Sequence, residues 1–117
     1  MSLHIKRVYE PAEAKDGQRI LVDRIWPRGL TKEKAAVDTW LKTVAPTTEL
    51  RKWFNHDPAL WAEFRARYAH ELDANPEAVK QLRDLTRAGK TTLLFAAHDP
   101  VHNNAAALAD YLNGALP

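Results

Sequence analysis

The chain has 117 residues, with seventeen lysines and arginines against fifteen carboxylates, five histidines and no cysteine. That length suits one domain with one core, and an apolar content of 45% with four tryptophans fits a packed globule better than a disordered tail. The composition excludes disulfides, thiolate nucleophiles, cysteine zinc sites and iron–sulfur clusters. No apolar run approaches the roughly 18 residues of a membrane helix and no signal-peptide pattern opens the chain, so a cytoplasmic protein without membrane contact is expected.

The net charge of +2 is unevenly spread: residues 1–34 carry eight basic and five acidic groups, and the remaining segments are close to balance. In chain order, Leu3–Val8 reads as a strand, and Pro11–Gly17 as a polar stretch with a turn at Asp16–Gly17. Arg19–Asp23 is an apolar run bounded by charges, which suits a central strand buried on both faces. Arg24–Lys32 follows as a loop punctuated by Pro27 and Gly29. Val37–Val44 fits a helix at Val37, Trp40 and Val44, and a strand at Val37, Thr39, Leu41 and Thr43; a short strand is preferred.

Thr48–Asn55 reads as a short helix burying Leu50, Trp53 and Phe54. Three pairs then announce helices by one device, an N-cap side chain followed by proline at the first helical position: Asp57–Pro58, Asn75–Pro76 and Asp99–Pro100. The first helix carries Leu60, Phe64, Tyr68 and Leu72 on one stripe. The second carries Val79, Leu82 and Leu85, with a stop near Gly89. The third carries Val101, Ala105, Leu108 and Leu112. Thr91–Ala97, between the last two, reads as a second fully buried strand. The expected architecture is α/β: a single small domain, with a mostly parallel central sheet of about four strands and flanking helices.

Such sheets place ligand sites where strands run into helices at their carboxyl ends. Two segments qualify, Asp23–Gly29 and His98–Asn104, and they open on the same side if their strands are parallel neighbours. In the first, Arg24 and Arg28 present planar forks suited to phosphate or carboxylate. The alternative is structural pairing with a carboxylate such as Asp23, with Trp26–Pro27 plugging the sheet end. Asp23 can orient the arginines as a carboxylate or act as a general base. In the second segment, His98 and His102 can exchange protons with a ligand, or be exposed or capping groups. They flank Asp99 with no HExxH pattern, so no metal site is expected. Asn103 and Asn104 can offer amides to a ligand or satisfy nearby backbone. His56 and His70 are expected in loop packing and in solvent. The aromatic residues on the helical stripes are expected in the core.

Glycine-rich phosphate loops and a GxSxG elbow are absent, and the only serine is Ser2. P-loop nucleotidase, dinucleotide dehydrogenase and serine hydrolase readings fall away, and no cofactor is expected.

The segments Lys6-Arg7-Val8-Tyr9, Leu21-Val22-Asp23-Arg24-Ile25-Trp26-Pro27-Arg28-Gly29, Leu50-Arg51-Lys52-Trp53-Phe54, Glu63–Tyr68 and Thr92–Asp110 resemble the YeaO-like branch of a bacterial domain-of-unknown-function family, number 488. The resemblance covers Ile5 to Leu112. The activity of that family is not established. In its longer branch a full helix joins the first two strands, which implies that they run parallel; Tyr9–Gly17 would be a truncated crossover, short for a parallel connection. That branch also has a Cys-His-Arg run opening the last helix. His102-Asn103-Asn104 stands in that neighbourhood here, so thiol chemistry does not transfer. The resemblance implies that the Arg24/Arg28 loop and the last helix form one site.

Two functions are therefore expected in competition. One is a site for a small anionic molecule, with Arg24, Trp26, Arg28, Asn103 and Asn104 binding it and Asp23, His98 and His102 available for proton transfer. The other is a nucleic-acid- or protein-binding regulatory module using the basic N-terminal third, with Arg19, Lys32 and Lys34 on one exposed face with the loop arginines. Neither the reaction nor the oligomeric state is legible in the sequence.

Overall fold

A computed structural model of the chain describes residues 3–114; Ser2 lies outside the described residues. Four strands form one sheet: β1 (Leu3–Arg7), β2 (Gln18–Leu21), β3 (Thr39–Trp40) and β4 (Thr91–Phe95), in the order β1-β4-β2-β3 with every pairing parallel. β4 is central and wholly buried, as an apolar run lacking polar alternation should be. Ile5 and Ile20 both register against Leu93. The α/β architecture read from the sequence is the one observed.

The connection from β1 to β2 runs from Val8 to Gly17 and holds only a 3₁₀ turn at Ala14–Asp16. It still joins parallel strands, because ten residues can span at most roughly 35 Å, enough to return along a short strand and step across β4. Gly17 completes the return at φ +65, where an added Cβ would lie 2.3 Å from the Lys90 carbonyl oxygen. Gln18 N–H donates to that same carbonyl at 2.9 Å, so the close approach is part of the sheet entry.

The helices are α1 (Lys32–Ala35), α2 (Thr48–Phe54), α3 (Trp61–Asp73), α4 (Pro76–Arg87) and α5 (Asn104–Leu112). The one-turn α1 falls partly in the expected loop; Thr31 caps it by accepting from Lys34 N–H. The expected strand at 37–44 shrinks to β3, followed by a 3₁₀ turn at Lys42–Val44. Asp57 caps as expected, accepting from Ala59 N–H at the 3₁₀ turn that leads into α3. Asn75 does not cap with its side chain; it spends its amide on the Thr43 carbonyl instead. α4 stops at Arg87, two residues before Gly89.

The largest correction concerns the last helix. It starts at Asn104, not Pro100. Asp99 accepts from the Val101 and His102 N–H groups in a local turn. Asn103 then adopts an extended conformation, φ −141 and ψ 164, which no helix can run through, and caps α5 by accepting from Ala106 N–H at 2.8 Å. Val101 therefore leaves the apolar stripe and is exposed.

One face of the sheet carries the main core, where Ile20, Leu93 and Phe95 meet Phe54, Phe64, Tyr68, Leu72, Leu82 and Leu108 from the helices. The Tyr68 hydroxyl, buried there, donates to the Val44 carbonyl. The opposite face carries a smaller cluster of Val8, Leu21, Ala35 and Leu94. No helix among the described residues is long and apolar enough to cross a membrane.

Candidate ligand-binding site

β2 and β4 are parallel neighbours, so their exit loops open on the same side of the sheet. Between them lies a cavity of about 730 Å³, lined by the Asp23–Arg28 loop, by Arg51 and Phe54 of α2 with His56 just beyond it, and by Ala96–Asp99 and His102–Asn104. The Arg24/Arg28 loop and the start of the last helix thus face one space.

At its inner end Asp23 links three elements. One carboxylate oxygen accepts from Ala96 N–H at 2.9 Å, at the end of β4; the other accepts from the Asn104 amide at 3.0 Å, in the first turn of α5. The same Asn104 nitrogen donates to the Val22 carbonyl at 2.9 Å. Burial pushes the Asp23 carboxyl above the usual range; the donors from Asn104 and Ala96, and the charges of Arg51 and His56, oppose that shift without cancelling it. Asp23 makes no hydrogen bond or ion pair with Arg24 or Arg28, which corrects the expectation that it orients them.

Arg24 faces the opposite wall. Its Nε donates to the Pro46 carbonyl and its Nη2 to the Ala45 carbonyl, both at 3.1 Å. Arg7 makes a similar clasp on the Ala96 and Ala97 carbonyls, at 3.3 and 2.8 Å. These guanidiniums bind loops to the sheet end. Arg28 differs: its side chain is exposed and makes no hydrogen bond or ion pair with any described residue, while its carbonyl receives the Tyr9 hydroxyl at 2.9 Å. Trp26 spends its indole N–H on the Leu30 carbonyl and sits edge-on to Trp40, so it offers the cavity a ring face and no donor.

Of the histidines, His98 is exposed on the cavity lining. His102 Nδ1 is 2.8 Å from Asp99 Oδ2, and the ring stands edge-on to Trp61. Backbone N–H groups of His102 and Val101, then the imidazole, hold the Asp99 carboxyl at about 2. Neither histidine is on the helix, so their four-residue spacing does not present two ligands on one face, and no group of three potential metal ligands occurs among the described residues. Asn103 lines the cavity but is buried, with its oxygen capping α5 and one N–H of its amide donated to the Asp99 carbonyl.

Arg51 and His56 are cavity residues that the sequence reading did not select. Like Arg28, Arg51 is exposed and its guanidinium has no hydrogen bond or ion pair among the described residues. His56 carries a sharper signal, because Asn55 and His56 are consecutive residues at φ 47 and φ 56. Left-handed conformations outside glycine are uncommon, and two in a row redirect the chain to bring His56 to the cavity edge.

The N-terminal basic third is less of a surface than its composition suggested. Arg19 is 4% exposed and paired with Asp16 at 2.6 Å. Lys6 joins the same carboxylate at 3.1 Å. Of the cations the regulatory-module reading requires, Lys32, Lys34 and the loop residue Arg28 are exposed, Arg24 is half-buried and Arg19 is buried.

A family model described as the inactive DUF488-N3 subclade matches residues 2–117. The chain is similar to the Uncharacterized protein YeaO of Escherichia coli, 46% identical over 112 residues that cover 96% of this chain and 97% of the relative. It is 44% identical over the same length to the Uncharacterized protein Rv3073c of Mycobacterium tuberculosis, covering 94% of that protein. No solved structure matches it.

Proposed function

Since the chain belongs to the DUF488 family, within the subclade described as inactive, we propose that it binds a small phosphate- or carboxylate-bearing molecule in this cavity without turning it over. One observation carries the proposal: Arg28 and Arg51 stand at the cavity with unpaired guanidiniums, while both carboxylates of the lining, Asp23 and Asp99, are already held by protein donors. A guanidinium fork is a bidentate partner for phosphate or carboxylate. The fixed charge of Arg24 adds to the attraction, and His98 and His102 supply ring nitrogens to the bound group. Asp23 keeps Asn104 in place and Asp99 keeps His102 in place; in this role neither takes part in a reaction. The burial of Arg19 supports this reading over a nucleic-acid- or protein-docking face.

A thermal-shift panel of phosphate, sulfate, sugar phosphates and small carboxylates tests it on the wild type, Arg28→Ala and Arg51→Ala. A ligand at one hundred times its dissociation constant stabilises by about 2.7 kcal/mol, which raises the midpoint of a domain this size by several degrees. The expected result is a shift in the wild type that shrinks in both variants. No shift with any anion, or one unchanged in both variants, would overturn the proposal.

A further inference from the structure

The cavity has a direction. Phe64, 2% exposed, and Phe54, 5% exposed, form its inner wall, with half-buried Asp23 and Asn104 beside them. Arg28 and Arg51 are both exposed, so the two guanidiniums without protein partners sit at the mouth, with exposed His56 beside them. Ile25, 58% exposed, and Tyr9 add apolar surface at the same lip. Free phosphate or acetate satisfied at the mouth would leave most of about 730 Å³ unfilled, a volume typical of pockets that enclose drug-sized molecules.

The polar groups at the inner end are also of one kind. The Asn104 nitrogen is committed to Val22 and Asp23, and its oxygen accepts nothing from the described residues. The Asp23 oxygens each accept one hydrogen bond and retain lone pairs. What this end presents to a ligand is therefore acceptors. A molecule that seats there with no donor leaves them dehydrated and unpaired, which is costly in a partly apolar enclosure.

We infer that the ligand is an aromatic anion carrying an N–H or O–H donor on its ring, which enters ring first. The ring lies against Phe54 and Phe64, the donor reaches Asp23 and Asn104, and the phosphate or carboxylate stays at the mouth with Arg28 and Arg51. The inference rests on the anion-binding reading and adds the body of the ligand and its orientation.

Calorimetric titration of the full chain with two probe series tests it. The carboxylate series is acetate, benzoate and 4-aminobenzoate; the phosphate series is inorganic phosphate, ribose 5-phosphate and AMP. In whichever series carries the right anion, the amino-bearing ring compound should bind at least tenfold more tightly than its ringless counterpart, and 4-aminobenzoate more tightly than benzoate. Phe64→Leu, which keeps an apolar side chain of similar size and so preserves the fold, should reduce the advantage of the ring compounds and leave acetate and phosphate unchanged. Ringless anions binding as tightly as ring compounds, in an Arg51-dependent manner, would overturn this inference while the anion site stands. Benzoate equalling 4-aminobenzoate would overturn the donor contact. No Arg51-dependent binding in either series would remove the anion site itself.

Discussion

Arg19 and Arg28 flank the same strand and its exit loop, yet their surroundings are opposite. Arg19 is enclosed: Nη1 donates to Asp16 at 2.6 Å, Nη2 to the Ala35 carbonyl at 2.9 Å and Nε to the Ala36 carbonyl at 3.0 Å. Asp16 in turn accepts from Lys6 and from Glu13 N–H. Arg28, at the cavity mouth, has none of this. A guanidinium with its donors filled by protein is part of the framework, and one with its donors open is available to a ligand. By that criterion Arg7, Arg19 and Arg24 are framework, and Arg28 and Arg51 are the pair proposed to bind the anion.

The largest expected effect falls on the framework side. Arg19→Ala takes from buried Asp16 one of its two cations and leaves the Ala35 and Ala36 carbonyls without their guanidinium donors, which costs about 3 kcal/mol and should lower the thermal midpoint by roughly 10–20 °C. A melt within a few degrees of wild type would mean that the cluster is not structural.

Acid should attack the same cluster next. Burial raises the Asp16 carboxyl, but hydrogen bonds from Glu13 N–H, Lys6 and Arg19 outweigh it and hold the group at about 2, against an ordinary 3.8. A depressed pKa gives stability that is present above the unfolded value and is lost as pH falls from about 4 towards 2. Asp23 works in the opposite sense: its raised pKa gives a contribution present below 3.8 and lost as pH rises through its folded value. Denaturant midpoints measured from pH 6 down to pH 2 should fall in the wild type and fall less steeply in Arg19→Ala. Parallel curves would remove Asp16 as the cause.

Asn104→Ala is the intermediate case, because Asn104 belongs to both regions. It leaves the Val22 carbonyl without that donor and Asp23 with one donor fewer, a cost of about 1–3 kcal/mol by denaturant titration, and it should raise the Asp23 pKa further. The smallest stability effects belong to Arg28→Ala and Arg51→Ala, expected within about 0.5 kcal/mol of wild type but with a reduced anion response. A destabilisation as large as that of Arg19→Ala would erase the distinction between the two kinds of arginine.

What the sequence displayed, and what it did not, follows the same division. The central strands were legible because Ile20–Val22 and Thr91–Phe95 are apolar runs without alternation, and their parallel pairing brings the two predicted loops to one cavity. Local cap chemistry was legible at Asp57 and ambiguous at Asp99–Pro100, where Asn103 competes as a second cap and takes the helix start. The states of the arginines were not legible. The partners of Arg19 include carbonyls of residues 35 and 36, and those of Arg24 are the carbonyls of 45 and 46; only tertiary folding delivers them. In sequence, Arg51 is one cation on a short helix. The neighbouring Asn55-His56-Asp57-Pro58 was the available hint that the chain turns sharply beside it.

The most direct measurement is an amide ¹H–¹⁵N titration of the wild type with AMP and with 4-aminobenzoate. The proposed site predicts perturbations centred on residues 23–28, 51–56 and 96–104, with Tyr9 and Phe64. The second concavity, beside the Asp16 cluster and bearing Lys15 and Lys90, should stay silent. Perturbations centred on Lys15 and Lys90, or none at millimolar ligand, would contradict the assignment of the cavity mouth as the anion site.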